Sequence, residues 1–282
     1  MADKELPMPS RQKDLYDNWK VYSQIDKLMF RCSKKKADWY LCRNLAALLP
    51  EDKAIKLSFV AKGDGHAEGD YMVEDKANIC VSCGTSKALT LHHIIPDMYR
   101  KWMPEVIKSK SSRDLVVLCK NCHLKYEQQA DKYKECFATE YNMPLEGRGW
   151  ILTPDNSIVR KAASAVVKYR DGKLPLIPLD RIQHLHKVVD DWQIEQEMSG
   201  TKDEVLECAL QLTDRHKGDD YVDHGQYVVA QLMENAMVIQ NNRTRWPDLE
   251  EFVKNWRRHF LKYCDCDYLS DKWSVDADIY VE

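Results

Sequence analysis

Two cysteine pairs define the chemistry within reach of this chain. Cys80 and Cys83 stand two residues apart in Cys-Val-Ser-Cys-Gly, and Cys119 and Cys122 repeat the spacing in Leu-Cys-Lys-Asn-Cys-His. Each such knuckle turns two sulfurs toward one point, so two knuckles complete the tetrahedron that binds Zn2+. Four thiolates leave no open position on the ion. The zinc is therefore expected to be structural and to contribute on the order of 10 kcal/mol to folding. Between the pairs lies Leu91-His92-His93-Ile94-Ile95-Pro96, and His123 follows the last cysteine. A histidine with a pKa of about 6.5 can take a proton at neutral pH or give a lone pair to a metal. The plainer alternative for the doublet is a buried, hydrogen-bonded ring at a strand end, and for His123 support of the adjacent cysteine ligand.

The order of these groups resembles the HNH endonuclease pattern, and the resemblance implies roles. His93, followed by two apolar residues and a proline, is implied as the general base that deprotonates water for phosphodiester hydrolysis. His92 and His123 are implied as ligands of one Mg2+ or Mn2+ ion acting as a Lewis acid on the scissile phosphate. The middle letter departs from the pattern. Where the family places asparagine before the second strand, this chain has Asp114 in Ser112-Arg113-Asp114-Leu115-Val116-Val117-Leu118. Aspartate accepts hydrogen bonds but cannot donate as an amide does. Either Asp114 still orients His93 or the site has lapsed; Asn121, inside the knuckle, is in the wrong register to replace it.

Short elements must position these groups. Leu89-Thr90-Leu91 reads as a strand delivering the histidine doublet, and Asp114 to Leu118 as a second strand. A helix starting at the second knuckle carries His123 toward Tyr141, which completes a ββα arrangement. Upstream, Leu15 to Tyr22 and Ile55 to Ala61 read as strands, Tyr71-Met72-Val73 as a return strand, and Lys34 to Leu49 as a helix capped by Ser33 and closed by Pro50. Downstream of Trp150 the pattern is helical, over 157–169, 179–198, 203–215, 226–240 and 249–263. The expected fold class is α+β, a ββα-metal zinc module with small β elements followed by a mostly α-helical region. The expected domains are 1–54, an arm and helix; 55–149, the zinc module; and 150–282, an acidic helical domain.

Charge is distributed unevenly. From Lys87 to Lys125 there are eight Lys/Arg against three acids, on a chain whose net charge is -3. Arg100, Lys101, Arg113, Lys120 and Lys125 are the candidate contacts to the phosphates of DNA or RNA. From Asp180 to Glu250 acids outnumber Lys/Arg fifteen to seven, a surface that repels nucleic acid and suits a protein partner, for example a separate exonuclease.

The 282 residues, 44% hydrophobic and 31% charged, fit an ordered globular protein rather than a disordered one. No apolar run approaches the ~20 residues needed to span a bilayer, and the first residues carry neither a signal nor a transit pattern. An intracellular protein of nucleus or cytoplasm is expected, without membrane insertion. Six further cysteines, Cys32, Cys42, Cys136, Cys208, Cys264 and Cys266, are scattered and read as free thiols.

Several stretches together are similar to one particular family. They are Asp14-Leu15-Tyr16-Asp17-Asn18, Lys35-Lys36-Ala37-Asp38-Trp39-Tyr40-Leu41, Met98-Tyr99-Arg100-Lys101-Trp102-Met103-Pro104, Tyr221-Val222-Asp223-His224-Gly225, Trp256-Arg257-Arg258-His259-Phe260-Leu261 and Trp273-Ser274-Val275-Asp276. In this order they resemble the region downstream of the exonuclease domain in the 3'-5' exonuclease domain-containing protein 2 family. Exonuclease activity there belongs to an upstream domain with four acidic metal ligands, which has no match expected here. The resemblance implies an association with DNA repair or RNA turnover and with mitochondria. Three functions follow as expectations: a metal-dependent endonuclease, a non-catalytic zinc module that binds nucleic acid, or a protein-docking module.

Overall fold

The computed structural model describes residues 10, 13–61, 63, 65–108, 111–239 and 243–280. Trp19–Tyr22 (β1) pairs antiparallel with Leu28–Cys32 (β2). Ser33 then caps the helix Lys34–Cys42 (α1), its side chain accepting from the Lys36 N–H. The helix expected to reach Leu49 ends here because Asn44 takes a left-handed backbone, φ 55°. Ala46–Leu48 (β3) turns back against Ala54–Leu57 (β4), and β4 runs parallel to β1, giving a sheet of order β2-β1-β4-β3. Val21, Met29, Ala37, Ile55 and Leu57 fill its small core. Tyr71 to Val73, expected as a strand, is a turn.

The module anticipated from the motif follows. Leu89–His93 (β5) leads through the short helices Asp97–Arg100 (α2) and Glu105–Lys108 (α3), separated near Pro104, to Leu115–Cys119 (β6). β5 and β6 pair antiparallel with Thr90 opposite Leu118 and His92 opposite Val116. Cys119 then caps Lys120–Glu140 (α4). This is a ββα unit within an α+β chain.

Beyond it come Arg148–Leu152 (β7), Pro154–Arg170 (α5), Leu179–Glu195 (α6), Lys202–Leu210 (α7) and Arg215–Val222 (β8). The last elements are His224–Leu232 (α8), Met237–Ile239 (β9), Arg243–Arg245 (β10) and Pro247–Cys264 (α9). The chain divides into two compact units, residues 1–145 with 224–282, and residues 146–223. In the second unit α5, α6 and α7 bury Val159, Ala163, Val166, Val189 and Val205, and β7 pairs with β8.

This division differs from the expected segment 150–282, because α8 and α9 belong with the ββα module. The reason is the stripe on α9. Leu249, Phe252, Val253, Trp256 and Phe260 recur at helical spacing and are all buried, in one core with Tyr99, Tyr126 and Phe137. Burying such a stripe stabilises by roughly 1.5–3 kcal/mol per large side chain. The 3.6-residue period shows that α9 has an apolar face and does not show what the face meets. Among the described residues, no helix is long and apolar enough to cross a membrane.

Candidate metal centre and active site

The first knuckle is held in place before any ion is considered. Gly84, with φ 72°, closes the turn by donating its N–H to the Cys80 carbonyl, and a Cβ there would lie 2.6 Å from the Tyr268 ring. Val81 donates to Val117 of β6 and accepts from the Tyr268 N–H, so the knuckle is clipped between β6 and the C-terminal segment. The second knuckle bridges β6 and α4, where the Cys122 N–H donates to Cys119 Sγ.

The four Sγ atoms lie within 4.8 Å of one another, and Cys83 Sγ and Cys119 Sγ are 3.7 Å apart. Zinc–sulfur bonds of 2.3 Å in a tetrahedron place sulfurs about 3.8 Å apart, so the thiols fit a single ion. Burial pushes the Cys122 thiol up to about 12 and raises Cys80, whereas the Thr85 backbone N–H lowers Cys83. Thiols raised by desolvation gain most from a cation that favours the thiolate.

A second cluster lies between β5 and α4. Strand alternation turns Thr90 and His92 toward α4 and sets Leu91 and His93 on the other face. His92, 4% exposed, brings Nδ1 to 3.0 Å from His123 Nε2. One turn along α4, Glu127 Oε1 lies 3.3 Å from His92 Nδ1 and 3.4 Å from His123 Nε2. Hydrogen bonds from His123 and His92 hold the Glu127 carboxyl well below the usual carboxylate range, and burial lowers His92.

The tautomer of His123 follows from its neighbour. The Thr90 hydroxyl has one proton, which it donates to the Leu118 carbonyl at 2.9 Å. Its oxygen therefore accepts from His123 Nδ1–H at 2.8 Å. Nε2 is then the nitrogen aimed at His92 and Glu127, and a cation taking the place of the proton that it shares with Glu127 would find there the lone pair a metal ligand needs. Two imidazoles and a carboxylate at this separation suit one divalent cation. Glu127 was not singled out in the sequence, although its position four residues after His123 on a helix is a readable signal.

The remaining sequence candidates fall into two groups. His93 is half-buried; burial, with Arg100 next, lowers its imidazole to about 4, so it is neutral at pH 7. Its Nδ1 is buried without a hydrogen-bond partner among the described residues. Arg100 donates to Asp97 Oδ1 at 2.6 Å on α2, and Lys101 carries its ammonium 5.5 Å from the Trp102 ring. Lys120 and Lys125 are on α4, the first half-buried and the second exposed.

Two candidates are engaged elsewhere. Arg113, expected to touch phosphate, is 7% exposed and donates to both carboxylate oxygens of Asp70, at 2.9 and 3.0 Å. Asp114, expected to orient His93 through its side chain, gives both oxygens to Arg257, which also donates to the Val275 and Ala277 carbonyls. A carboxylate this buried needs a cation, and Arg257 supplies it with fork geometry. The Asp114 backbone still reaches the site's strand, since its carbonyl accepts from the Ile94 N–H next to His93 at 2.8 Å.

With the ββα geometry, the thiol tetrad and the histidine–glutamate cluster in place, comparison with known families becomes specific. Residues 80–129 match the HNH endonuclease family. That span begins at the first cysteine and ends just past Glu127, so both clusters lie inside it.

Over 95% of its length the chain is 28% identical to human Exonuclease 3'-5' domain-containing protein 2, covering 41% of that protein. It is 27% identical to the Drosophila melanogaster protein of the same name, covering 44% of it. A 133-residue stretch is 42% identical to Protein RRP6-like 3 of Arabidopsis thaliana, covering 15% of that protein. The chain thus spans less than half the length of each. No solved structure matches it.

Proposed function

We propose that this chain is a zinc-stabilised, HNH-type, nuclease-related protein that hydrolyses phosphodiester bonds in nucleic acid. The observation that carries the reading is the convergence of His92 Nδ1, His123 Nε2 and Glu127 Oε1 within 3.4 Å of one another, inside the segment that matches the HNH family. The names of the relatives, an exonuclease domain-containing protein among them, point to the same substrate class.

In this reading Cys80, Cys83, Cys119 and Cys122 hold Zn2+ and fix the ends of β5, β6 and α4. His92, His123 and Glu127 hold Mg2+ or Mn2+, which supplies Lewis acidity at the scissile phosphate and positive charge for the departing oxygen. His93, neutral at pH 7, accepts the proton of the attacking water. Arg100, beside His93, contacts phosphate, as do Lys101, Lys120 and Lys125 on the basic stretch. Asp114 is a positioning residue whose backbone ties β6 to the residue after His93.

Incubation of the full chain with Mn2+ and end-labelled DNA and RNA tests the proposal. Cleavage is expected with the native chain and lost in His93→Ala, with zinc content unchanged. Equal cleavage by the variant, or none by the native chain with either nucleic acid, would overturn it.

A further inference from the structure

The face of β5–β6 that bears His93 opens onto a cavity of 710 Å³, lined from β5 and β6 by Leu91 and Leu115 and from the N-terminal sheet by Phe30 and its neighbours. Leu91 lies two residues before His93 on the same strand face, about 7 Å away along the chain, and Leu115 is the cross-strand partner of His93. The cavity therefore lies on the strand face that carries His93, next to that residue rather than lined by it. Its size falls in the range of small-ligand sites.

Its walls divide by chemistry. Met29, Met72, Leu91 and Leu115 are apolar, and Tyr16 and Phe30 are aromatic. Tyr16 is fixed by donating its hydroxyl to the Leu115 carbonyl at 2.9 Å. Two cations stand against these walls. Lys36 Nζ lies 5.0 Å from the Phe30 ring centre, and Lys76 Nζ lies 4.2 Å from that of Tyr71 and 5.4 Å from that of Tyr16. Neither ammonium has a carboxylate within ion-pair distance among the described residues. The other charges nearby are of both signs: Arg31 pairs with Asp75, the Asp17 carboxylate accepts from the Lys34 backbone N–H, and Glu74, Asp70 and Asp114 act on Lys76 at longer range.

Apolar and aromatic walls beside ammonium groups that lack a directly paired carboxylate complement a flat base joined to an anion. A base paired in a duplex cannot enter such a recess, whereas an unpaired one stacks on rings while cations take its phosphate. We infer that the cavity takes one unstacked nucleotide of a single-stranded nucleic acid, its base among Tyr16, Phe30 and Leu91 and its phosphate at Lys36 and Lys76. The adjoining phosphodiester then lies against His93. Only that last step rests on the function proposed above; the preference for a single strand does not.

The test is binding by the full chain carrying His93→Ala, so that no substrate is cut. Fluorescence anisotropy is read with a labelled oligonucleotide of about 12 nucleotides, with its duplex, and with the same strand made abasic. The single strand is expected to bind about tenfold tighter or more than either. Phe30→Ala is expected to remove that preference. Lys36→Glu, at an exposed position on α1 that leaves the core untouched, is expected to weaken single-strand binding. Equal affinity for strand and duplex, or for intact and abasic strand, would overturn the inference, and so would an unchanged single-strand affinity in folded Lys36→Glu. Strand preference without cleavage in the Mn2+ assay would refute the catalytic reading and leave the cavity's role standing; cleavage without strand preference would do the reverse.

Discussion

Asp114 and Arg257, 143 residues apart in sequence, meet in a buried two-pronged ion pair, Nε to Oδ1 at 2.8 Å and Nη2 to Oδ2 at 2.9 Å. The pair ties the start of β6 to α9. It gives a physical reason for aspartate at the position where an HNH motif has asparagine, since an amide would place N–H donors against a guanidinium that can only donate.

Breaking this pair from one side leaves an uncompensated buried charge. Arg257→Met is expected to lower unfolding free energy by about 3–5 kcal/mol. The double variant Asp114→Leu/Arg257→Met should be less destabilised than the sum of the two single variants. Urea denaturation of the four proteins measures this, and simple additivity would show that the pair is energetically uncoupled.

If Cys80, Cys83, Cys119 and Cys122 hold an ion as proposed, its removal should unfold the ββα module, because binding of a structural zinc contributes on the order of 10 kcal/mol. Residues 146–223 have a core of their own. After treatment with a strong chelator, limited proteolysis is therefore expected to digest the first unit and spare a fragment near these bounds. An unchanged digestion pattern would deny the ion a structural role.

The hydrogen bond that fixes the His123 tautomer can be removed with little change of shape. Thr90→Val deletes the acceptor of His123 Nδ1–H, which should weaken Mn2+ binding by about 10–100-fold, as loss of a ligand's supporting partner does elsewhere. Glu127→Gln, which removes a ligand charge, should cost at least as much. Isothermal titration of both variants reads the effect, and unaltered Mn2+ affinity in both would remove the cluster from metal binding.

Lys76 connects stability to pH. Burial, followed by Arg113, lowers its ammonium from 10.5 to about 8. A folded pKa below the unfolded one means that the folded chain binds the proton less tightly. The cost is therefore full below pH 8 and fades between about 8 and 10.5. Screening at a half-buried site leaves on the order of 1–2 kcal/mol. Lys76→Met should raise the melting temperature at pH 7 and give a smaller gain at pH 10. An equal gain at both values would assign the effect to packing.

How far the sequence revealed these features depended on distance along the chain. The cysteine knuckles, the histidine doublet and the ββα order are local patterns set by ligand spacing and strand and helix periods, so they were legible. Glu127 was legible in principle, one helical turn after His123, but no motif letter marks it. The Asp114–Arg257 and Arg113–Asp70 pairs were not, because a charge on a basic stretch reads the same whether it faces solvent or a buried carboxylate far away in sequence. The same limit hid the return of α9 to the first unit. Residues 226–240 illustrate a different loss: helix α8 stops at Leu232, and Met237–Ile239 form a strand with exposed apolar side chains.

The central claim is that His92, His123 and Glu127 hold one divalent ion. Anomalous diffraction at the manganese edge, from crystals soaked in Mn2+, tests it most directly. A single peak within about 2.0–2.3 Å of His92 Nδ1, His123 Nε2 and Glu127 Oε1 is the expected result. Ordered side chains with no peak between them at saturating Mn2+ would contradict it.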